Sequence, residues 1–293
     1  MRIGILLAVL LTWAAPTLAS DQLTGTLKKI HDTGTITIGY RESSIPFSYL
    51  DSRGQPIGYA IDLCQEVIDD ISEALDGLEV KAVYKPVTPE TRIPALLSGE
   101  IDLECGSTTS NHARQKQVAF SPVFFVAGTK LLVKRGSRIN SYRDLRDKTV
   151  VVTAGTTNEV ALRTIDDKQE LGIKIITTKD HAEAFARLHA GMADAFASDD
   201  VLLHGLIAAA HAQGDYKVVG EYLSYDPYGL MFRKDDPDFA EVVNQTFKRL
   251  AENRDLAAIY NKWFLKRLPT GEELDLPISP QLLEMFQVLG LPD

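Results

Sequence analysis

Strand-like and helical patterns alternate along this chain, and the same alternation occurs twice. In the first half, apolar runs alternate with helical patterns at residues 35–39, 60–75, 80–84, 92–97 and 101–105. The second half repeats this order with a run at 150–152, a helix from 158, a run at 173–176, a helix at 182–190 and a run at 193–197. Strands that alternate with helices are typical of parallel sheets covered by helices. The chain is therefore predicted to have an α/β fold with two similar halves.

A short sequence repeat relates the two halves. Residues 96–102 and 188–194 both combine a helix end, a glycine and an aspartate that precedes a strand. Ser107 and Asp199 follow the glycine of their own repeat at the same distance along the chain. Because ligands of open parallel α/β sheets bind at the carboxyl ends of the strands, both side chains are expected in a cleft between the halves.

Two segments are expected to connect the halves as a hinge. Residues 120–134 contain extended apolar stretches around a glycine, and residues 221–231 are expected to bring the chain back. We therefore predict a first lobe at 20–127 and 225–293 and a second lobe at 128–224. Two rigid lobes joined in this way can close over a ligand.

The C-terminal tail has no assigned role at this level. It starts near Pro269, and Leu282, Leu283 and Phe286 either pack on the first lobe or leave the tail loose.

The first residues predict export. Arg2 precedes an apolar stretch at 3–11 that is too short to span a bilayer, and small residues precede Ser20. Residues 1–19 are predicted to be a cleaved signal peptide, and the mature protein is expected in the periplasm.

Composition and spacing argue against several kinds of partner. The formal net charge is -9, and no clustered basic face that would bind nucleic acid is visible. The histidines lack metal-ligand spacing with acids or cysteines, and residues 155–157 lack the lysine of a phosphate-binding loop. No metal and no cofactor are expected.

Cys64 and Cys105 are the only two cysteines. One lies in the first turns of a predicted helix and the other at the end of a predicted strand, so both can lie near one edge of a sheet. An oxidising compartment permits them to pair. The sequence leaves open whether they form a disulfide or remain two buried thiols.

Residues 104–109 place hydroxyl groups at the end of a predicted strand, and Arg114 follows shortly. An arginine binds a carboxylate with two parallel charge-assisted hydrogen bonds, while Ser and Thr hydroxyls can contact an ammonium group or a further oxygen. This combination indicates a site for an amino acid.

Short motifs extend over nearly the whole mature chain, at residues 41–49, 58–62, 91–94, 104–109, 114–117, 155–157, 179–181, 199–200 and 233–237. In this order they resemble the periplasmic amino-acid-binding proteins of ABC importers, solute-binding protein family 3, and above all the glutamate/aspartate-binding branch. The resemblance implies a single binding domain at about residues 34–268. Its fold would be periplasmic binding protein-like type II, with two α/β lobes, a ligand cleft and a two-segment hinge.

The resemblance also implies three groups of ligand contacts. The α-carboxylate would be bound by Thr109, Arg114, Thr156 and Thr157. The α-ammonium would be bound by Ser107 and Asp199. The distal carboxylate would be bound by Arg41, Arg92 and His181. Since these three positive or donor groups would leave charge uncompensated around a neutral amide, an acidic ligand is expected.

Two details affect this interpretation. A protonated His181 would make binding weaken as the pH rises. Pro89 stands where relatives usually have a serine, so one hydroxyl contact to the distal carboxylate is lost and the ranking of glutamate against aspartate stays open.

The expected function is capture of L-glutamate and/or L-aspartate by a monomeric, non-catalytic protein, with delivery to an inner-membrane ABC permease. Two alternatives remain at this level: a broader receptor for polar amino acids, and a periplasmic dehydratase on the same fold.

Overall fold

The computed structural model describes residues 23–271 and 273–292, so the predicted signal peptide lies outside the described residues. The chain begins with α1 (Gly25–Thr33), β1 (Thr35–Tyr40), β2 (Ser43–Ser44), β3 (Ser48–Leu50), β4 (Pro56–Ile57), α2 (Tyr59–Ala74), β5 (Lys81–Pro86), α3 (Arg92–Leu97), β6 (Leu103–Cys105), α4 (His112–Gln115), β7 (Val118–Phe120) and β8 (Phe125–Ala127).

It continues with β9 (Thr129–Lys134), a 3-10 helix (Tyr142–Leu145), β10 (Thr149–Thr153), α5 (Thr157–Gln169), β11 (Lys174–Thr178), α6 (His181–His189), β12 (Ala195–Asp199), α7 (Asp200–Ala209) and β13 (Tyr216–Val219). The last elements are β14 (Asp226–Tyr228), β15 (Met231–Arg233), α8 (Pro237–Glu252), α9 (Asp255–Phe264) and α10 (Pro280–Leu289).

Two five-stranded sheets with equivalent strand orders form the two lobes. The first has the order β5-β1-β6-β15-β7 and the second has the order β11-β10-β12-β9-β13. In each sheet three adjacent parallel strands come from one half of the chain, since β1 pairs with β5 and β6, and β10 pairs with β11 and β12. Antiparallel strands complete each sheet on the other side. The predicted α/β fold with two lobes is confirmed.

Helix α2 covers the first sheet with one apolar face. Its buried side chains include Leu63, Val67 and Ile71, which recur every fourth residue and therefore lie on the same side of the helix. A disulfide joins Cys64 of this helix to Cys105 of β6, with the two Cα atoms 6.3 Å apart. The bond fixes the helix to the strand that leads into residues 104–109.

A two-stranded ribbon forms where the chain passes from the first sheet to the second and back again. Strand β8 pairs antiparallel with β14, from Asp226 opposite Ala127 to Tyr228 opposite Phe125. The backbone of β14 also holds the loop after β6, because Ser110 N donates to Pro227 O at 2.7 Å. The ribbon therefore links the hinge directly to one of the segments predicted to bind the ligand.

The C-terminal helix α10 packs on the first lobe. Leu282 and Phe286 are buried in the same core as α2 and α8, as the sequence allows. Leu283 is 40% exposed, so of the three residues considered it is the one that does not join this core. In the described residues, none of the helices is both long and apolar enough to cross a membrane.

Candidate functional site

The two sheets present the predicted ligand-binding residues to one another. Thr157 is partly buried, and the remaining residues are buried, namely Arg41, Arg92, Ser107, Thr109, Arg114, Thr156, His181 and Asp199. Burial of this many polar and charged groups is costly unless each finds a partner. The region where the lobes meet is therefore the candidate site.

Arg41 and Arg92 lie at the carboxyl-end edge of the first sheet. Arg41 follows β1, and Arg92 is the first residue of α3. Arg92 Nη1 donates to Thr108 Oγ1 at 2.6 Å, whereas Arg41 Nη2 and Arg92 Nε are buried without a hydrogen-bond partner in the described chain. Buried donors are rarely left unbonded. These nitrogens are therefore suited to an anionic group between the lobes.

Burial also affects the acidity of both guanidiniums. Burial and the nearby charge of Arg92 lower the pKa of Arg41 to about 9. Burial likewise lowers the pKa of Arg92, against the charge of Glu104, which raises it. Since both groups stay protonated at neutral pH, they form a concentrated positive charge at this end of the site.

His181 completes this end from the second lobe. It begins α6, while Asp180 is the N-cap and accepts from Glu183 N at 2.8 Å. His181 Nδ1 lies 2.9 Å from Thr153 Oγ1. Burial, with the charges of Arg41 and Arg92, lowers the pKa of His181 well below its ordinary value. This favours the neutral ring, which can donate from Nε2 when Nδ1 accepts from Thr153; the ligand contact of His181 stays a prediction.

Arg114 and Thr109 bridge the two lobes. Arg114 Nη1 donates to Thr109 O at 2.9 Å, and Arg114 Nη2 donates to Gly155 O at 3.3 Å. Thr109 Oγ1 lies 3.3 Å from Thr157 Oγ1 across the cleft. Burial lowers the pKa of Arg114 to about 9, so this guanidinium also remains charged at neutral pH.

Thr156 and Thr157 form the N-terminus of α5. The Thr156 hydroxyl is the cap: it accepts from Glu159 N at 3.1 Å and donates to Thr153 O at 2.6 Å. This leaves Thr157 as the side chain that faces Thr109. A helix N-terminus favours an anion through its free N–H groups and its dipole.

Asp199 occupies the N-cap position of α7 but makes no side-chain cap hydrogen bond. Its Oδ1 accepts from Asn158 Nδ2 at 2.8 Å, and its Oδ2 accepts from the Tyr228 hydroxyl. Burial, and then the charge of Asp226, raise the pKa of Asp199 to about 8. The negative charge of Asp226 disfavours ionisation of Asp199, unless a cation binds beside the two carboxylates. The pair is therefore suited to an ammonium group.

Ser107, the other residue predicted to bind the ammonium group, is buried in the loop that follows β6. Its buried Oγ makes no hydrogen bond to any described residue. Both oxygens of Asp226 have donors, because Oδ1 accepts from Thr109 Oγ1 at 3.0 Å and Oδ2 accepts from the Ser224 hydroxyl.

Sequence reasoning missed several polar residues of this site, namely Glu104, Thr108, Asn158, Asp226 and Tyr228. Glu104 and Thr108 lie inside the motif at residues 104–109, for which the sequence predicts ligand contacts only at Ser107 and Thr109. The signal for Glu104 is the alternation along β6, where it follows the buried Leu103 and must point to the other face of the sheet. Asp226 and Tyr228 lie in the expected second connection, where no ligand contact was expected.

Further contacts show that the lobes are closed on each other. Ala182 N at the start of α6 donates to Ser43 Oγ at 3.4 Å. On α7, a β-carbon at Gly205 would lie 2.2 Å from the carbonyl oxygen of Ile45. These contacts join residues of opposite lobes, so they belong to the closed arrangement.

In residues 23–271 and 273–292, no group of three or more His, Cys, Asp or Glu side chains is placed to hold a metal ion.

Two α/β lobes, a two-stranded hinge and a buried set of charged groups between the lobes are the features of a two-lobed binding protein. The sequence model of the bacterial extracellular solute-binding proteins, family 3, matches residues 36–266. The chain belongs to this family.

Similar proteins fit this assignment. An L-glutamate/L-aspartate-binding protein of Pseudomonas aeruginosa is 45% identical over 275 residues, which are 93% of this chain and 91% of that protein. A glutamate/aspartate import solute-binding protein of Escherichia coli is 39% identical over 263 residues, 89% of this chain and 87% of that protein.

Solved structures show the same fold. An ancestral arginine-binding protein bound to glutamine has a TM-score of 0.72 at 31% identity, covering 80% of this chain and 99% of that one. An ancestral amino acid-binding protein described as a precursor of cyclohexadienyl dehydratase has a TM-score of 0.69 at 32% identity, covering 82% and 99%.

Proposed function

We propose that this protein captures L-glutamate and/or L-aspartate in the periplasm and delivers it to an ABC transporter permease. The observation that carries the proposal is the pair of buried guanidiniums, Arg41 and Arg92, each with a nitrogen that has no hydrogen-bond partner among the described residues. A carboxylate side chain would accept from both nitrogens and would also match their charge.

The amino-acid part of the ligand would lie toward the hinge. Its α-carboxylate would be bound by Arg114 and by the hydroxyls of Thr109 and Thr157, at the N-terminus of α5. Its ammonium group would lie against Asp199, with the unpartnered Ser107 Oγ beside it. This arrangement orients the ligand, because the ammonium group meets a carboxylate while both ligand carboxylates meet guanidiniums.

The charge at the distal end favours acids over amides. A glutamine or asparagine amide would leave the guanidinium charges unmatched in a buried site, and an unsatisfied buried charge is strongly disfavoured. The relatives from Pseudomonas aeruginosa and Escherichia coli, both named for glutamate and aspartate, support the same class of ligand.

Ligand binding would couple to lobe closure. Since Arg41 and Arg114 belong to the first lobe, and Thr157 and Asp199 to the second, the full set of contacts forms only when the lobes are closed. The ligand therefore shifts the hinge equilibrium by its differential affinity for the closed state. A permease could then distinguish the closed outer surface. The disulfide supports an oxidising, extracytoplasmic location, and a monomer is sufficient for this role.

Calorimetry tests the proposal directly. The mature, ligand-stripped protein is titrated with L-glutamate, L-aspartate, L-glutamine and L-asparagine, and the best ligand is repeated on Arg92→Ala. We expect binding of the acids and a loss of at least tenfold in Arg92→Ala, since a hydrogen bond to a charged group contributes about 1.5–3 kcal/mol. Arg143→Ala is the control, because the Arg143 side chain is 66% exposed and pairs with the exposed Glu221.

The results separate the alternatives. Equal binding of acids and amides would replace the proposal with a broad receptor for polar amino acids. Absence of binding for all four ligands would refute it.

We propose no catalysis. The relatives from Pseudomonas aeruginosa and Escherichia coli are named as binding proteins. The structural relative described as a dehydratase precursor is itself an amino acid-binding protein. Turnover of prephenate or arogenate by the purified protein would overturn this part of the proposal.

A further inference from the structure

Glu104 is the one fully buried carboxylate among the guanidiniums at the distal end of the described site. It lies on β6, between β1 and β15, and its side chain is 0% exposed. A β-carbon at Gly106 would lie 2.3 Å from Glu104 Oε1 and 2.9 Å from Arg41 Cγ, so the carboxylate and the Arg41 stem converge over this glycine. Glu104 is therefore part of the region where the ligand side chain would lie.

A chain of hydrogen bonds connects Glu104 to the other arginine. Arg92 Nη1 donates to Thr108 Oγ1, and Thr108 Oγ1 donates to Glu104 Oε2, each at 2.6 Å. The Thr108 hydroxyl has only one proton. It therefore accepts the hydrogen bond from Arg92 and donates its own proton to Glu104. The second oxygen, Oε1, is buried without a partner in the described chain. A carboxylate with a purely structural role would be expected to have both oxygens bonded.

The charges in this region do not balance without a ligand. At this end two guanidiniums, Arg41 and Arg92, lie near one buried carboxylate, Glu104, whereas the nearby Arg114 donates to the carbonyl oxygens of Thr109 and Gly155. Asp180 also acts on Arg41, but its side chain is 20% exposed and lies 3.8 Å from Lys179 Nζ, so solvent and this lysine screen its charge more than that of Glu104. One positive charge therefore remains at the distal end of the site.

We propose that Glu104 determines the charge of the ligand side chain that this protein accepts. Its carboxylate neutralises one of the two guanidiniums, so the site matches a side chain with one negative charge. This inference rests on the proposed binding of an acidic amino acid. It goes beyond that function because it assigns the selectivity for a singly negative side chain to Glu104, a residue that need not contact the ligand.

A double-mutant cycle tests the charge count. Arg41→Gln alone leaves Arg92 balanced by Glu104, so we expect glutamate to bind at least tenfold more weakly and the preference for glutamate over glutamine to fall. Adding Glu104→Gln restores one net positive charge. We expect the double variant to bind glutamate at least tenfold more tightly than Arg41→Gln and to regain the preference over glutamine. Calorimetry gives both dissociation constants for each variant.

The same cycle separates a structural role from the proposed one. If Glu104 only supported the fold, the second substitution would weaken binding further, and a double variant no better than Arg41→Gln would overturn the proposal. Glu100→Gln is the matched control in the same lobe, since the Glu100 side chain is 46% exposed and pairs with Lys85. It is expected to leave both constants unchanged.

Folding and the proposed function have their own readouts. If Glu104→Gln alone does not fold, the double variant, which loses one charge of each sign, still decides the question. If the double variant does not fold either, Glu104 serves the fold and the inference is wrong. If the wild-type protein does not bind glutamate, the proposed function fails first, and this result is distinct from a cycle that shows no coupling.

Discussion

The Tyr228 hydroxyl donates a hydrogen bond to the Asp199 carboxylate, so the hinge strand β14 contacts the end of β12 in the second lobe. Tyr228 is 0% exposed and also packs its ring against Phe47 and Phe125 of the first lobe. This single side chain therefore connects the core of one lobe, the hinge and the proposed ammonium site of the other.

Tyr228→Phe removes the hydroxyl and keeps the ring. We expect glutamate affinity to fall by about 1–3 kcal/mol, because the closed state then holds a buried carboxylate oxygen without its donor. Calorimetry on the variant measures the loss. Tyr225→Phe is the matched control, since Tyr225 is 58% exposed. Unchanged affinity in Tyr228→Phe would show that the contact does not contribute to closure.

The raised pKa of Asp199 predicts how binding depends on pH. Burial and the charge of Asp226 raise this pKa to about 8, while an ammonium ligand requires the ionised form. Binding must therefore release a proton below this pH, and affinity should increase by up to about tenfold for each pH unit as the pH rises toward 8. His181 does not oppose this trend, because its lowered pKa keeps it neutral.

Proton release is measurable by titration in buffers of different ionisation enthalpy. Asp199→Asn is expected to bind weakly and to lose this part of the pH dependence; affinity that falls between pH 6 and about 8 would contradict the assignment. The effect on folding has the opposite sign. Since the folded pKa is above the ordinary value of 3.8, the contribution of Asp199 to stability is present at low pH and is lost as the pH rises toward about 8.

The disulfide should contribute strongly to stability. Cys64 and Cys105 are separated by 41 residues, and closing a loop of this length in the unfolded chain corresponds to about 4 kcal/mol in the chain-entropy model. Replacing both residues with alanine should lower the free energy of unfolding by that order, as measured by urea denaturation. Reductant should destabilise the wild-type protein and leave the double alanine variant unchanged. Equal sensitivity of both proteins to reductant would contradict this.

The C-terminal helix gives a matched pair of substitutions at adjacent positions. Leu282 is 1% exposed in the core of the first lobe, whereas Leu283 is 40% exposed. Leu282→Ala should cost about 2–5 kcal/mol of stability, and Leu283→Ala less than about 0.5 kcal/mol. Thermal unfolding of both variants checks the difference. Similar effects would show that α10 is not docked in solution as it is here.

Much of the first lobe could be predicted because its elements follow local rules. Helix α2 has an apolar side chain at regular intervals, and its expected range of 60–75 is close to the observed Tyr59–Ala74. The sequence repeat around Gly99 and Gly191 identifies equivalent positions in the two halves. Both glycines have the positive φ that is typical of the end of a helix. The spacing of apolar residues and the choice of glycine at a turn depend only on neighbouring residues, so both can be recognised from the sequence.

The missed site residues depend on distant parts of the chain. Asn158 contacts Asp199, and Thr109 contacts Asp226, across separations of 41 and 117 residues that no local pattern reports. The charge state of His181 also cannot be predicted from the sequence. It is set by burial between lobes and by two guanidiniums, all of which require the tertiary structure.

Gly205 provides a test of closure that leaves the ligand contacts intact. This residue lies in α7, and a β-carbon there would be 2.2 Å from the carbonyl oxygen of Ile45 in the other lobe. Alanine favours a helix over glycine by about 1 kcal/mol, so Gly205→Ala should not unfold the second lobe. It should instead prevent the lobes from approaching fully. We expect glutamate to bind at least tenfold more weakly, with the thermal stability of the ligand-free protein preserved.

Small-angle scattering distinguishes this effect from a damaged site. The radius of gyration of the wild-type protein should decrease when saturating glutamate is added, and that of Gly205→Ala should decrease less. Gly214→Ala is the control in the same lobe, because a β-carbon there meets nothing within 4 Å. If Gly205→Ala binds and compacts like the wild-type protein, the contact between α7 and Ile45 does not limit closure. Since Gly205 touches none of the proposed ligand-binding residues through a side chain, weaker binding in this variant would tie affinity to the closed state itself.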